Sequence, residues 1–148
     1  MEIVKANETH IAALAALEKA CFSDPLTPDM LARQIEDGGH IVLCAVEDGN
    51  VCGYVSCQCV LDEGYIGSVA VGEKSRRRGT ARALMTALAE RAKEKNLAFL
   101  TLEVRESNAP ARGLYEKCGY EIVGKRKNYY EKPIEDAILM SVYFTKEA

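Results

Sequence analysis

Residues 68–90 read Ser-Val-Ala-Val-Gly-Glu-Lys-Ser-Arg-Arg-Arg-Gly-Thr-Ala-Arg-Ala-Leu-Met-Thr-Ala-Leu-Ala-Glu. The apolar residues at 69–71 predict a short strand, and the polar, basic residues at 73–78 predict a turn. A helix is predicted to begin at Gly79, because apolar residues recur behind it at helical spacing: Ala81, Leu84, Ala87 and Leu88.

This strand–turn–helix unit predicts an anion-binding site. The first amides of a helix have no partner within the helix, and the macrodipole adds partial positive charge there. Gly79 lets a ligand approach the backbone closely, and four arginines supply charges that suit phosphate: Arg76, Arg77, Arg78 and Arg82. The alternative is a solvated basic turn that only begins a helix.

Two common phosphate motifs are absent. There is no Gly-x-x-x-x-Gly-Lys-Ser/Thr, which excludes a P-loop, and no Gly-x-Gly-x-x-Gly followed by an acidic residue on a second strand, which argues against a dinucleotide fold. Arg76-x-x-Gly79-x-Ala81, after a Val-Ala-Val strand, resembles the pyrophosphate signature of the GCN5-related N-acetyltransferases (GNAT superfamily), which bind acetyl-CoA. The resemblance implies coenzyme contacts with Val69, Ala70, Val71, Arg76, Arg77, Arg78, Gly79, Thr80, Ala81 and Arg82.

Length and composition predict one domain over residues 1–148, with 48% hydrophobic and 28% charged residues. The net charge of −3 gives no reason to expect nucleic acid, and no apolar run is long enough to span a membrane. Six cysteines occur mostly in apolar runs, without a Cys-x-x-Cys pair or a nearby histidine. We therefore expect no metal site, and reduced thiols in a cytoplasmic protein.

The order of predicted elements indicates an α/β (α+β) fold. A strand at residues 3–6 precedes a helix capped by Thr9 and a second helix beginning at Thr27-Pro28. Asp48-Gly49 predicts a hairpin between strands at 41–47 and 51–61. Further strands are predicted at 65–71, 98–104, 120–125 and 137–144, with a loop at 125–130. The result is a mixed, mostly antiparallel sheet flanked by about four helices.

The strand at 99–105 carries a carboxylate, Glu103, on one of its two alternating faces. It is either part of a site or a surface charge paired with a neighbour. In the helix that follows, Asn108 and Tyr115 share a face, whereas Ala111, Leu114 and Cys118 form the predicted core face. Asn108 also suits a helix cap, and Tyr115 suits packing with its hydroxyl in water.

Four blocks sharpen the resemblance: Leu-Glu-Val-Arg at 102–105, Ser-Asn at 107–108, Leu-Tyr-Glu at 114–116 with Gly-Tyr at 119–120, and Asn-Tyr-Tyr at 128–130 followed by Glu-Asp-Ala-Ile-Leu-Met at 135–140. Together they resemble the RimI-type family, which acetylates the N-terminal alanine of a small-subunit ribosomal protein. The resemblance implies that Glu103 is the general base, Tyr115 the general acid and Asn108 a coenzyme contact. It also implies that Tyr129 and Tyr130 flank the acceptor peptide.

Two other functions stay open. One is an acetyltransferase for lysine side chains or small amines such as polyamines, which a cluster of acidic residues near the acceptor groove would favour. The other is a non-catalytic acyl-CoA-binding module, which has no need of both Glu103 and Tyr115. The sequence does not determine the number of subunits.

Overall fold

The computed structural model describes residues 1–144. The strands are Glu2–Lys5 (β1), His40–Glu47 (β2), Asn50–Val60 (β3), Glu63–Val71 (β4), Phe99–Arg105 (β5), Glu121–Tyr130 (β6) and Glu135–Tyr143 (β7). The helices are Ile11–Cys21 (α1), Pro28–Glu36 (α2), Thr80–Glu94 (α3) and Ala109–Lys117 (α4). The strands form one sheet in the order β1-β2-β3-β4-β5-β7-β6, in which β4 and β5 are parallel and the other neighbours antiparallel. The predicted fold class is confirmed.

Local signals explain most element boundaries. Thr27 accepts a hydrogen bond from the amide of Met30 at 3.2 Å and caps α2. The hairpin between β2 and β3 turns at Asp48 and Gly49, which both have positive φ, as a tight hairpin requires. The prediction that Thr9 caps the first helix is wrong. Asn7 instead caps a short 3₁₀ turn, Glu8–His10, by accepting from the Thr9 amide, and α1 follows with His10 as its N-cap and no side-chain cap.

The sheet buries a hydrophobic core on each face. Helix α3 covers one face, where Leu84 and Leu88 pack with the inward residues of β5. Helices α1 and α2 cover the other face over β2 to β4, where Leu14, Leu31 and Tyr54 are fully buried. Each buried leucine contributes roughly 1.5–3 kcal/mol relative to an exposed one. Both faces of the central strands are thus covered by helices.

Two predictions for the last third of the chain are wrong. Tyr115, predicted to lie off the core face of α4, is the buried residue of that helix, at 7% exposure, while the predicted core residues Ala111, Leu114 and Cys118 do pack against the core but are half-buried. The aromatic ring reaches further into the core than the shorter side chains and packs against Tyr120, with centroids 6.0 Å apart.

Residues 125–130 lie within β6 rather than in a loop. Because β6 is an edge strand, most of its side chains are polar and exposed, which gave it the sequence pattern of a loop.

Membrane, metal and disulfide features can be described for residues 1–144. No helix there has the length and apolar character needed to cross a membrane. No three histidine, cysteine, aspartate or glutamate side chains in this range are grouped so that they could hold a metal ion. All six cysteines fall in it and are free thiols, with Cys44 and Cys57 buried and the others half-buried.

Candidate active site

The parallel strands β4 and β5 separate after a short paired segment. They pair over only three residues each, 63–65 with 99–101. Just beyond, the register of β4 against β3 shifts, and Gly67 is left out of the ladder. A cavity of about 260 Å³ lies in the opening and is lined by residues 66–69 and 102–105. The opening is therefore built into the sheet, with strand backbone on both of its sides.

Glu103 borders this opening from the middle of β5. Its side chain is 27% exposed, and its Oε1 lies 3.2 Å from Nε of Arg126 on β6. The neighbouring Glu103 carboxylate is also the main cause of the raised pKa of Tyr129. Glu103 therefore meets both descriptions given for it from the sequence. It forms the ion pair expected of a structural charge, and it also borders the cavity, as a general base must.

Tyr115 lines the same cavity from α4. Burial raises the pKa of its hydroxyl to about 12, with smaller contributions from Tyr130 and Cys118. The phenol is therefore fully protonated at neutral pH and is available as a hydrogen-bond donor. The structure thus brings Glu103 and Tyr115 to one cavity from two different elements.

Asn108 is the N-cap of α4. Its Oδ1 accepts a hydrogen bond from the amide of Ala111 at 3.3 Å, and Pro110 follows within the first turn. The side chain also lines the cavity. Because the cap uses only the carbonyl oxygen, the amide nitrogen is left to meet a ligand.

The start of α3 has an open anion-binding geometry. Gly79 is the N-cap with φ of 80°, a left-handed conformation that favours glycine, and no side chain caps the helix there. A Cβ added to Gly79 would meet no atom within 4 Å, so the helix start faces open space. Arg77, Arg78 and Arg82 are exposed around it. Thr80 is buried and donates from Oγ1 to the Ser75 carbonyl at 3.2 Å, which fixes the turn.

Arg76 differs from the other three arginines. Its Nε donates to the carbonyl of Val71 at 3.1 Å, and its Nη2 lies 3.7 Å from Sγ of Cys21 at the end of α1. The guanidinium therefore ties the end of β4 to α1. Val69 lines the cavity itself, and Ala70 and Val71 continue the strand toward the turn.

The sequence model of the acetyltransferase (GNAT) family matches residues 11–120. The chain belongs to the GNAT acetyltransferase family. A putative ribosomal protein bS18-alanine N-acetyltransferase from Bacillus subtilis is 35% identical over 127 residues, which are 85% of this chain and 84% of that one. The Haemophilus influenzae enzyme of the same name is 40% identical over 70% of this chain and 73% of its own. The crystal structure of the Escherichia coli ribosomal-protein-S18-alanine N-acetyltransferase has a TM-score of 0.91 at 29% identity, and the match covers 99% and 96% of the two chains.

This GNAT protein is an acetyl-CoA-dependent N-acetyltransferase, and the resemblance drawn from its sequence is confirmed. Its residues fit the coenzyme. The exposed arginines and free helix amides at the start of α3 suit a diphosphate, and the opening between β4 and β5 suits a slender chain. The roles of individual residues in coenzyme binding and catalysis stay predictions.

A second cavity of this GNAT protein, of about 690 Å³, adjoins the first. Its walls come from the segment between α1 and α2 and from the end of β6, including Tyr129 and Tyr130. Arg105 stacks on the Tyr130 ring, with its guanidinium carbon 4.4 Å from the ring centroid. We call this space the acceptor cavity.

Sequence reasoning missed Glu18, which lines the acceptor cavity although only 1% of it is exposed. Its Oε1 accepts from the Leu26 amide at 2.8 Å, and its Oε2 accepts from the Tyr54 hydroxyl at 2.5 Å. A signal was present, because Glu18 falls four residues after Leu14 and three before Cys21 on the apolar stripe of α1. A charge on that stripe indicates a buried partner.

Proposed function

We propose that this acetyltransferase acetylates the α-amine of a protein N-terminus, with an N-terminal alanine of a small-subunit ribosomal protein as acceptor. The observation that carries the proposal is that the acceptor cavity and the opening between β4 and β5 meet, sharing Cys21, Phe22, Gly67, Ser68, Arg105 and Tyr130. The names of the three relatives support the acceptor. In this proposal residues 1–148 act as one catalytic domain in the cytoplasm.

Glu103 has the position of a general base in the proposed reaction. Acetyl-CoA supplies an activated thioester. Glu103 accepts a proton from the acceptor ammonium, directly or through a water, and the freed amine attacks the thioester carbon. The carbon–sulfur bond then breaks, the nitrogen loses its second proton to solvent to give the amide, and CoA leaves as a thiolate that takes a proton from solvent. No acyl group needs to rest on the protein, so none of the six cysteines is required as a nucleophile.

Tyr115 has the position of the donor to the leaving sulfur. Its pKa of about 12 lies above the ~8.5 of a thiol, so complete proton loss from the phenol to the thiolate is uphill. We infer that Tyr115 stabilises the developing thiolate chiefly as a hydrogen-bond donor. Contributions of this kind change rates by roughly 10²–10³ when a donor is removed.

The acid–base arithmetic favours an α-amine over lysine. An α-amine of pKa ~8 is roughly 10% neutral at pH 7, whereas a lysine of pKa ~10.4 is about 0.04% neutral. Deprotonating a peptide N-terminus therefore costs much less free energy than deprotonating a lysine side chain, and a single carboxylate suits it better. This supports the proposed acceptor over a lysine side chain.

The charges around the acceptor cavity disfavour a polyamine. Its charged lining consists of three acids and two bases: Glu18, Asp24, Glu131, Arg105 and Lys132. The carboxylate of Glu18 is buried and already bonded to the Leu26 amide and the Tyr54 hydroxyl. Glu103 is already paired with a cation, Arg126. A polycation would need an excess of free carboxylates, which this mixed lining does not offer.

Mass spectrometry of a peptide panel tests the function. The panel holds an alanine-started ribosomal-protein peptide, peptides with other first residues, and an N-terminally blocked peptide that carries a lysine. We expect acetylation of the alanine-started peptide by the wild type, and a loss of roughly 10²-fold or more in turnover with Glu103→Gln. Coenzyme binding by that variant, measured by calorimetry, should be unchanged.

Acetylation of the blocked lysine peptide would overturn the proposed acceptor. Full activity of Glu103→Gln at neutral pH would remove Glu103 as the base. Coenzyme binding by the wild type without transfer to any peptide would favour the binding-module alternative.

A further inference from the structure

The carboxylate of Glu103 is neutralised by a cation from the edge of the sheet. Strand β7 lies between β5 and β6, with Leu139 opposite both Glu103 and Gly124, and Ala137 opposite Arg126. Arg126 crosses over β7 to place its Nε 3.2 Å from Glu103 Oε1. The contact therefore spans two strand spacings, across the side of β7 that carries Ala137 and Leu139.

Arg126 is held loosely compared with the other arginine near Glu103. Arg105 donates to the Pro133 carbonyl at 3.0 Å and to Glu135 at 3.2 Å, and it stacks on Tyr130. The Arg126 side chain is 55% exposed. Besides the Glu103 carboxylate it faces the Tyr129 ring, at 5.8 Å from the guanidinium carbon to the ring centroid, so it is held by fewer and longer contacts than Arg105.

The backbone around Arg126 also permits movement. Strand β6 is the edge of the sheet, and its register on β7 is interrupted between Arg126 and Tyr130. The interruption holds Asn128, at φ of 54°, and Tyr129, whose hydroxyl neighbours Glu103. Arg126 is the last paired residue before this exposed irregularity, so its side chain can move without opening the buried core.

We propose that Arg126 is a resting counter-ion of Glu103, which the α-ammonium of the acceptor displaces on binding. An arriving ammonium brings the same charge, so the half-buried carboxylate keeps a cationic partner before and after the exchange. Arg126 is a positioning residue, and a neutral or blocked N-terminus, which carries no charge to replace it, leaves the Arg126–Glu103 pair in place. The inference rests on the proposed function, in which Glu103 receives the acceptor amine.

Peptide binding without turnover tests the exchange. An alanine-started peptide and the same peptide with an acetylated N-terminus are titrated separately by calorimetry onto the protein with CoA, which has no acetyl group to transfer. With Arg126→Gln we expect the free-amine peptide to bind roughly three- to fivefold more tightly, the size of one partly exposed ion pair, and the blocked peptide to bind as before. Arg126→Lys keeps a competing cation and should restore most of the wild-type affinity.

Lys127→Gln is the matched control, since it removes the neighbouring positive charge, which acts on Asp136 instead. It should leave the affinities of both peptides unchanged. If Lys127→Gln tightened the binding of the free-amine peptide as much as Arg126→Gln does, the change would come from net charge alone, and the proposal would be overturned. So would weaker or unchanged binding of the free-amine peptide to Arg126→Gln, or an equal change for both peptides. Since these are binding measurements, they stay separate from the turnover that tests the proposed function.

Discussion

At the scale of single residues, the hydroxyl of Tyr115 has one consequence for the pH profile. Its pKa of about 12, raised by burial, keeps it protonated far above neutrality. We expect Tyr115→Phe to lower kcat roughly 10²- to 10³-fold, and by the same factor at every pH from about 7 to 10. Steady-state kinetics across that range measure it. A factor that shrinks steadily as the pH rises would mean that the phenol ionises within the range and that its environment has been misjudged.

The roles proposed for Glu103 and Tyr115 come from the resemblance of the sequence blocks at 102–105 and 114–116 to the RimI-type family. Periodicity alone placed Glu103 on its strand but put Tyr115 away from the core, where the structure buries it. Their partners were not predictable. Arg126 reaches Glu103 only because β6 lies two places from β5 in the sheet, and strand order is a property of the whole chain.

At the scale of elements, the Glu18–Tyr54 hydrogen bond joins α1 to β3 within the core. Tyr54→Phe would leave a buried carboxylate with one donor fewer, so we expect a loss of about 2 kcal/mol in the free energy of unfolding. Urea denaturation would show it as a midpoint lower by roughly 1 M.

Tyr120→Phe is the matched control for that prediction. The Tyr120 hydroxyl is buried without a hydrogen-bond partner among residues 1–144, so its removal forfeits no hydrogen bond. We expect unchanged or slightly higher stability. If both variants lost the same stability, the Glu18–Tyr54 contact would contribute nothing beyond ring packing.

Elements were predicted well where one local signal decides the conformation. The Thr27-Pro28 cap and the Asp48-Gly49 turn fix their own backbone. Residues 125–130 lack such a signal, because a polar edge strand is held by its neighbour rather than by its own sequence. The exposure of β6 made this part of the strand look like a loop in the sequence, and it also allows Arg126 and Tyr129 to reach the site.

At the scale of the whole molecule, buried tyrosines and thiols make the protein sensitive to alkali. Burial raises the pKa of Tyr115 and Tyr130 to about 12, that of Cys44 to about 11, and that of Tyr54 and Tyr120 in the same direction. In the unfolded chain these groups ionise near about 8.5 for thiols and about 10 for phenols. Their contribution to stability is therefore complete below about pH 8.5 and is lost progressively as the pH rises toward 12.

Urea unfolding at a series of pH values measures this loss. We expect the free energy of unfolding to fall steadily above about pH 9, and the absorbance of the buried tyrosinates to appear together with unfolding. A free energy that stays constant up to about pH 11 would contradict the burial of these side chains.

The separation of β4 and β5 lowers the stability of the folded protein when no ligand is bound. The two central strands lack part of their hydrogen-bond ladder, so the middle of the sheet is held less strongly. A molecule that fills the gap binds only the folded chain and restores the lost stability. At a concentration of 100 times its dissociation constant, such a ligand adds about 2.7 kcal/mol to stability. If acetyl-CoA is that ligand, as the proposed function requires, the free energy of unfolding rises with the logarithm of its concentration.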